Sequence, residues 1–178
     1  GGVTDPFRLG IAKDPYHHQD NITGVATFEP VESTIKAMRE LFPRAKRIGI
    51  IWNPAEECSE ACTFKARDVA KKYHFELLEA TISNTSEIND ALMALLNKKI
   101  DLFFTSGDNT VHLSVETIAD TLRKYKVPYF TNSPVDVDRG AFLSIGADFY
   151  EIGIETGEMA QRVINGERPG DIPIKDLI

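Results

Sequence analysis

The chain has few cysteines, no basic runs and no long apolar runs. Only two of its 178 residues are cysteines, and its net charge is −7. Because no run of Lys or Arg stands out on any predicted helix face, we expect no nucleic-acid partner. No apolar run approaches the roughly 20 residues that a membrane-spanning helix needs. The hydrophobic content of 42% is ordinary for a globular protein with a core of normal size.

The two cysteines, Cys58 and Cys62, lie four residues apart on one face of a predicted helix. Their Cα atoms would be about 6 Å apart, which is just within the range of a disulfide. The sequence is therefore compatible either with two thiols or with a local disulfide. A metal site would need more ligands, and no other Cys or His lies nearby in the sequence, so we expect no metal.

Signatures of catalysis are also absent. The sequence contains no G-x-S-x-G turn, no phosphate-binding P-loop and no H-E-x-x-H pair. His112 lies near a polar turn described below, but a single histidine without a nucleophile partner is a weak signal. The sequence therefore predicts a protein that is not an enzyme, with no catalytic residue and no cofactor.

Strand and helix signals alternate along the chain. Short apolar, β-branched runs predict strands, and amphipathic stretches predict the helices between them. The predicted strands are residues 47–52, 75–81, 100–105, 127–131 and 141–145, and the predicted helices are 31–42, 57–73, a segment that starts near Ser86, 111–125 and 148–164. This order predicts an α/β fold with a doubly wound parallel sheet and helices on both faces.

The two ends of the chain fit this sheet less well. Residues 2–3 predict the end of a strand, residues 22–28 a crossing segment, and residues 172–174 a second crossing strand. The sequence thus predicts part of a first lobe with a crossing segment (1–29), a complete second α/β lobe (30–142), and a return to the first lobe with a final crossing strand (143–178). We expect the early strands of the first lobe to be absent from this chain.

The polar turn from Ser106 to Thr110 follows one predicted strand and precedes a helix. Open α/β sheets bind small ligands at this kind of turn, where strands end. Asp108 can accompany a cation, whereas Asn109 and Thr110 can donate and accept hydrogen bonds. These side chains suit a zwitterion. The alternative is that Asp108 or Asn109 only caps the helix.

Several segments, taken in order, resemble a known family. They are Val3-Thr4-Asp5-Pro6, Asn21-Ile22-Thr23-Gly24-Val25, Ile48-Gly49-Ile50-Ile51-Trp52-Asn53-Pro54, Asp108-Asn109-Thr110-Val111, Arg139-Gly140-Ala141, Gly146-Ala147-Asp148-Phe149-Tyr150-Glu151-Ile152-Gly153 and Thr156-Gly157-Glu158-Met159-Ala160. Together they resemble the substrate-binding proteins of ABC importers, in the branch with tryptophan-binding and other aromatic-amino-acid-binding members. The resemblance implies a periplasmic-binding-protein type I fold, in which a ligand sits in a cleft between two Rossmann-like lobes that close about a hinge.

The resemblance also implies a function, a partner and a location. We expect an amino acid as the ligand, with an aromatic one favoured, an ABC permease as the partner, and an extracytoplasmic location, either periplasmic or as a membrane-anchored lipoprotein. By the same resemblance, the ligand contacts come from loops that face the cleft. These candidates are Asp108, Asn109, Thr110, Thr4, Asp5, Asn53, Ser133 and Asp148.

Most of these residues have a structural alternative. Asp5 and Asn53 each precede a proline, where they can form turns, and Ser133 and Asp148 can cap helices. Two other functions also remain open. The fold can serve as a ligand-sensing domain of a signalling protein, or as a small-molecule enzyme that uses Asp108 with His112. A sheet edge left exposed by the absent strands further predicts a homodimer.

Overall fold

Short strands alternate with amphipathic helices over residues 3–176, which the computed structural model describes, with the backbone alone for Asp176. The strands are β1 (Ala12–Asp14), β2 (His17–His18), β3 (Val25–Ala26), β4 (Arg47–Trp52), β5 (Glu76–Thr81), β6 (Leu102–Thr105), β7 (Tyr129–Thr131), β8 (Leu143–Ser144) and β9 (Lys175–Asp176). The helices are α1 (Val31–Leu41), α2 (Glu57–Lys72), α3 (Ile88–Asn97), α4 (Asn109–His112), α5 (Val115–Tyr125) and α6 (Phe149–Ile164). Short 3₁₀ turns span Thr85–Glu87, Pro134–Asp136 and Pro169–Asp171.

The main sheet has five parallel strands in the order β5-β4-β6-β7-β8. Strand β4 pairs with β5 on one side and with β6 on the other, so the direction of winding reverses between β4 and β6. This reversal confirms the predicted doubly wound α/β sheet. Open sheets bind small ligands beside the carboxyl ends of the strands that flank such a reversal, so a ligand is expected there.

Helices cover both faces of this sheet because its strands are apolar on both sides. Ile51, Phe103 and Tyr129 form one core cluster with residues of α3 and α5. Their strand neighbours Ile50 and Phe104 are also buried, and alternation along a strand turns them to the opposite face. Helices α1 and α2 pack against each other, separately from α3 and α5. The buried faces of α3 and α5 agree with the apolar periodicity of the sequence, whereas Phe64, which belongs to the apolar pattern of α2, is exposed.

The chain divides into two compact units. Unit 1 comprises Gly1–Glu29 and Ala147–Ile178, and unit 2 comprises Pro30–Gly146. The second division follows Gly146 rather than Phe142, because β8 pairs with β7 and so belongs to the sheet of unit 2. Within unit 1, β3 pairs in parallel with β9, and Ile152 and Met159 of α6 pack with Val25 and Ile172.

Two local predictions differ from the structure, and one hairpin was not predicted. Residues 172–174 are not a strand: Ile172 closes a 3₁₀ turn through a bond to the oxygen of Pro169, and the strand β9 begins at Lys175. The helix predicted over 111–125 is divided into α4 and α5 at Leu113 and Ser114. The β1–β2 hairpin was not predicted. Gly2, which was predicted to end a strand, lies outside the described residues.

Candidate functional site

The loops after β4 and β6 meet at the point where the sheet reverses direction. The loop after β4 begins at Asn53, and the loop after β6 carries Asp108, Asn109 and Thr110. The backbone nitrogen of Asn53 donates to Asp108 Oδ2 at 2.6 Å, and Asn53 Nδ2 donates to Thr110 Oγ1 at 3.1 Å. Four of the residues predicted from the sequence to bind a ligand therefore lie together in unit 2.

Asp108 holds these two loops together. It is 8% exposed, and its Oδ1 accepts from the backbone nitrogen of Val111 at 2.8 Å, which makes it the N-cap of α4. Its Oδ2 also accepts from Ser59 Oγ of α2 at 2.6 Å. Burial raises the pKa of Asp108 above its ordinary value, although the hydrogen bonds from Ser59, Val111 and Asn53 oppose this shift. The capping alternative is thus confirmed, whereas contact between Asp108 and a ligand stays a prediction.

Glu56 also belongs to this cluster, and sequence reasoning missed it. Its Oε2 accepts from the backbone nitrogen of Asn109 at 2.8 Å and from Asn109 Nδ2 at 2.9 Å. Its Oε1 accepts from the backbone nitrogen of Thr110 at 3.0 Å and from Thr110 Oγ1. Burial raises the pKa of Glu56, but the hydrogen bonds from Thr110 and Asn109 outweigh burial and lower it overall. Glu56 therefore places a half-buried, ionised carboxylate at the edge of the loops.

Gly107 allows the turn between β6 and α4. Its φ of +59° lies in the left-handed region, which favours glycine. A Cβ atom here would stand 2.5 Å from Cys58 Sγ and 3.0 Å from Cys62 Sγ. The thiols of α2 therefore pack directly against this turn. Both side chains are thiols rather than a disulfide.

The side chain of His112 contacts Asp136, whereas the enzyme alternative paired it with Asp108. Its Nδ1 lies 3.2 Å from Asp136 Oδ1, and Arg139 donates to the carbonyl oxygen of His112 at 3.0 Å. The oxygens of Asp108 are bonded instead to Asn53, Ser59 and Val111. The side-chain pairing of Asp108 with His112 that the enzyme alternative requires is therefore not formed, although the backbone nitrogen of His112 donates to the carbonyl oxygen of Asp108.

The remaining predicted residues lie in loops and caps. The backbone nitrogen of Ser133 donates to Thr131 Oγ1, and Ser133 precedes the 3₁₀ turn Pro134–Asp136. Asp148 caps α6 and accepts from the backbone nitrogen of Tyr150 at 2.9 Å. Asp5 closes a turn by accepting from the backbone nitrogens of Phe7 and Arg8. Thr4, Asp5 and Asp148 belong to unit 1, whereas Ser133 belongs to unit 2.

Residues 3–176 contain neither a metal-binding cluster nor a membrane-spanning helix. In that range, no cluster of three or more His, Cys, Asp or Glu side chains is arranged to hold a metal ion. None of the described helices combines the length and apolar character needed to cross a membrane.

Solved structures share this fold. A conserved domain protein from Vibrio cholerae superposes with a TM-score of 0.90 at 29% identity, over 99% of this chain and 59% of that one. A domain from Streptococcus pneumonia in complex with L-Trp superposes with a TM-score of 0.88 at 24% identity, over the same shares of the two chains. At that identity, the second structure supports the fold alone.

The family model for ABC transporter substrate binding proteins matches residues 1–177, so the chain belongs to this family. A protein of Clostridioides difficile named as a tyrosine-binding protein is 32% identical over 175 residues. That match covers 98% of this chain and 50% of the relative. The chain therefore spans about half the length of the curated relatives it matches. The family resemblance inferred from the sequence motifs is confirmed.

Proposed function

We propose that the protein is the solute-binding component of an ABC importer and that it binds an aromatic amino acid, with tyrosine favoured. The observation that carries the choice of ligand is the 32% identity to a protein named for tyrosine binding, over nearly the whole of this chain. We further propose an ABC permease as the partner and an extracytoplasmic location, both from the family. The cleft between two lobes and the homodimer stay predictions.

The loops after β4 and β6 offer suitable chemistry for one end of a zwitterion. Glu56 is ionised at neutral pH and partly exposed, so its oxygens can accept from an ammonium group. Asn109 is exposed and adds an amide oxygen as a further acceptor. Asp108 and Asn53 are both buried, whereas Glu56 and Asn109 are partly or fully exposed, so we assign Asp108 and Asn53 to the support of the loops. The proposed ligand contacts in these loops are therefore Glu56, Asn109 and Thr110, together with Ser133.

Calorimetric titration of L-tyrosine into the protein and its Asn109→Ala variant tests this site. Loss of one hydrogen-bonding side chain at a charged ligand is expected to weaken affinity by about tenfold. Asn84→Ala is a matched control, because Asn84 is also exposed and also donates Nδ2 to a glutamate, Glu87. The control should bind as the wild type does. Equal affinity for the wild type and Asn109→Ala would remove Asn109 from the site.

A further inference from the structure

The side chain of Asn132 bridges the two segments by which the chain enters and leaves unit 2. The chain enters at Pro30, immediately before α1, and leaves after Gly146. Asn132 follows β7 and is 2% exposed. Its Nδ2 lies 2.8 Å from Thr34 Oγ1 in the first turn of α1, and 2.6 Å from the carbonyl oxygen of Ile145. One amide group therefore contacts both segments.

The hydrogen-bonding partners fix the orientation of this amide. The carbonyl oxygen of Ile145 can only accept, so the nitrogen of Asn132 must face it. Thr34 Oγ1 donates its proton to the carbonyl oxygen of Pro30 at 3.2 Å, so it accepts from Asn132. Both amide protons of Asn132 are thus committed to the entering and leaving segments.

The side-chain oxygen of Asn132 does not stabilise this position. Among the described residues, Asn132 Oδ1 is buried with no hydrogen-bond partner. A buried acceptor without a partner is unfavourable, and an aliphatic side chain would avoid it. The two bonds made by Nδ2 are therefore what distinguishes asparagine here from an apolar residue.

The backbone around Gly146 adds a second attachment of the leaving segment. A Cβ atom on Gly146 would stand 2.1 Å from the carbonyl oxygen of Asn132 and 2.7 Å from Pro134 Cδ. The backbone nitrogen of Ile145 donates to the oxygen of Thr131 at 3.1 Å. The last residues of unit 2 therefore lie directly against the end of β7, with no space between them.

We propose that Asn132 is a positioning residue that clasps both segments to the carboxyl end of β7. The Asn132 clasp comprises Asn132, Thr34, Ile145 and Gly146. It makes the two segments move as part of unit 2. Ser133 is the next residue after Asn132 and is a predicted ligand contact. Provided that the proposed function holds, ligand contact at Ser133 reaches both segments through this one side chain.

Hydrogen exchange of individual backbone amides, followed by NMR without ligand, tests the clasp. The Asn132→Ala variant should speed exchange at Thr34 and Ile145 by about tenfold, since each segment loses one hydrogen bond. Exchange at Ile82 and Asp101, which are bonded to the two ends of β4, should not change. Asn84→Ala is the control for the same substitution at an exposed site. Uniform acceleration across unit 2, or no change at Thr34 and Ile145, would overturn the proposal.

A milder variant keeps the test valid if Asn132→Ala fails to fold. Thr34→Val removes the acceptor of only one of the two bonds, so exchange should rise at Thr34 and stay unchanged at Ile145. Thr34→Ser retains the hydroxyl and should behave as the wild type does. Equal acceleration at both amides in Thr34→Val would contradict independent attachment of the two segments.

A second arm with L-tyrosine separates this inference from the proposed function. Bound ligand should slow exchange at Thr34 and Ile145 in the wild type but not in Asn132→Ala. Heat of binding without such slowing would overturn the inference that ligand contact at Ser133 reaches both segments. Absence of any heat of binding would overturn the proposed function, while the ligand-free result for the clasp would stand.

Discussion

At the residue scale, two carboxylates in the same pair of loops have pKa values that are shifted in opposite directions. The carboxylate of Asp108 is bonded within the protein interior, and burial raises its pKa. Glu56 lies nearer to solvent, and the donors of Asn109 and Thr110 lower its pKa despite partial burial. The sequence predicted the polar character of this turn and the capping alternative for Asp108. It could not predict Glu56, because its partners lie 53 and 54 residues further along the chain.

Replacement of Asp108 by Asn should change the pH dependence of stability in a defined direction. Because the pKa of Asp108 is raised on folding, its favourable contribution is complete below 3.8 and is lost as the pH rises through the folded-state pKa. The free energy of unfolding of the wild type, minus that of Asp108→Asn, should therefore decrease as the pH rises above 3.8. Urea unfolding at several pH values measures this difference.

The control for this change is Asp90→Asn, at an exposed position in the first turn of α3. At pH 7, Asp108→Asn should also cost about 1–3 kcal/mol, because an amide nitrogen would face the buried N–H of Asn53. If the free energy of unfolding of the wild type, minus that of Asp108→Asn, instead grew with rising pH, burial would not disfavour the charged carboxylate of Asp108.

Replacement of Glu56 by Gln should show the opposite trend. The pKa of Glu56 is lowered on folding, so its stabilising contribution is present above 4.5 and is lost as the pH falls through the folded-state pKa. We expect Glu56→Gln to cost about 1 kcal/mol at pH 7, and this cost to shrink below pH 4.5. Glu57→Gln, at the neighbouring exposed glutamate, is the matched control. A cost for Glu56→Gln that does not vary with pH would contradict the lowered pKa.

At the element scale, apolar periodicity predicted most helices and strands of unit 2, but not the interruption between α4 and α5. Val111, Val115, Ile118 and Leu122 continue one apolar pattern across the break, and all four are buried. The chain leaves helical geometry at Ser114, whose φ is −115°. A helix can therefore be interrupted without any change in its apolar pattern. Backbone geometry, which the pattern does not encode, decides where α5 begins.

Two glycine substitutions should change stability in opposite directions. Gly107→Ala adds a Cβ atom 2.5 Å from Cys58 Sγ at a positive φ, and should lower the free energy of unfolding by about 2–3 kcal/mol. Gly153→Ala places its Cβ atom in open space within α6, and should raise the free energy of unfolding by about 0.5–1 kcal/mol. Denaturant unfolding measures both changes.

The clash at Gly107 has its own double-variant test. Cys58→Ala removes the nearer sulfur atom, so the Gly107→Ala/Cys58→Ala double variant should be more stable than the sum of the two single effects predicts. Strict additivity would show that the left-handed backbone of Gly107, and not contact with α2, sets the cost.

At the scale of the whole molecule, the sequence predicted an α/β sheet with chain ends that do not belong to it. The structure confirms the doubly wound sheet, and it assigns the two ends to a unit of their own. Pairing between β3 and β9 joins residues 150 positions apart, from Val25 to Lys175. Local patterns do not encode such distant pairing, which explains why the final strand was predicted three residues too early. The family, by contrast, could be inferred from the order of short motifs in the sequence.

We propose that this protein binds an aromatic amino acid. Isothermal titration calorimetry with L-tyrosine, L-tryptophan and L-phenylalanine, and with L-glutamate and myo-inositol as comparisons, tests it most directly. We predict saturable heat with at least one aromatic amino acid, and none with L-glutamate or myo-inositol. Saturable heat with only a comparison compound, or with none of the five, would contradict the claim.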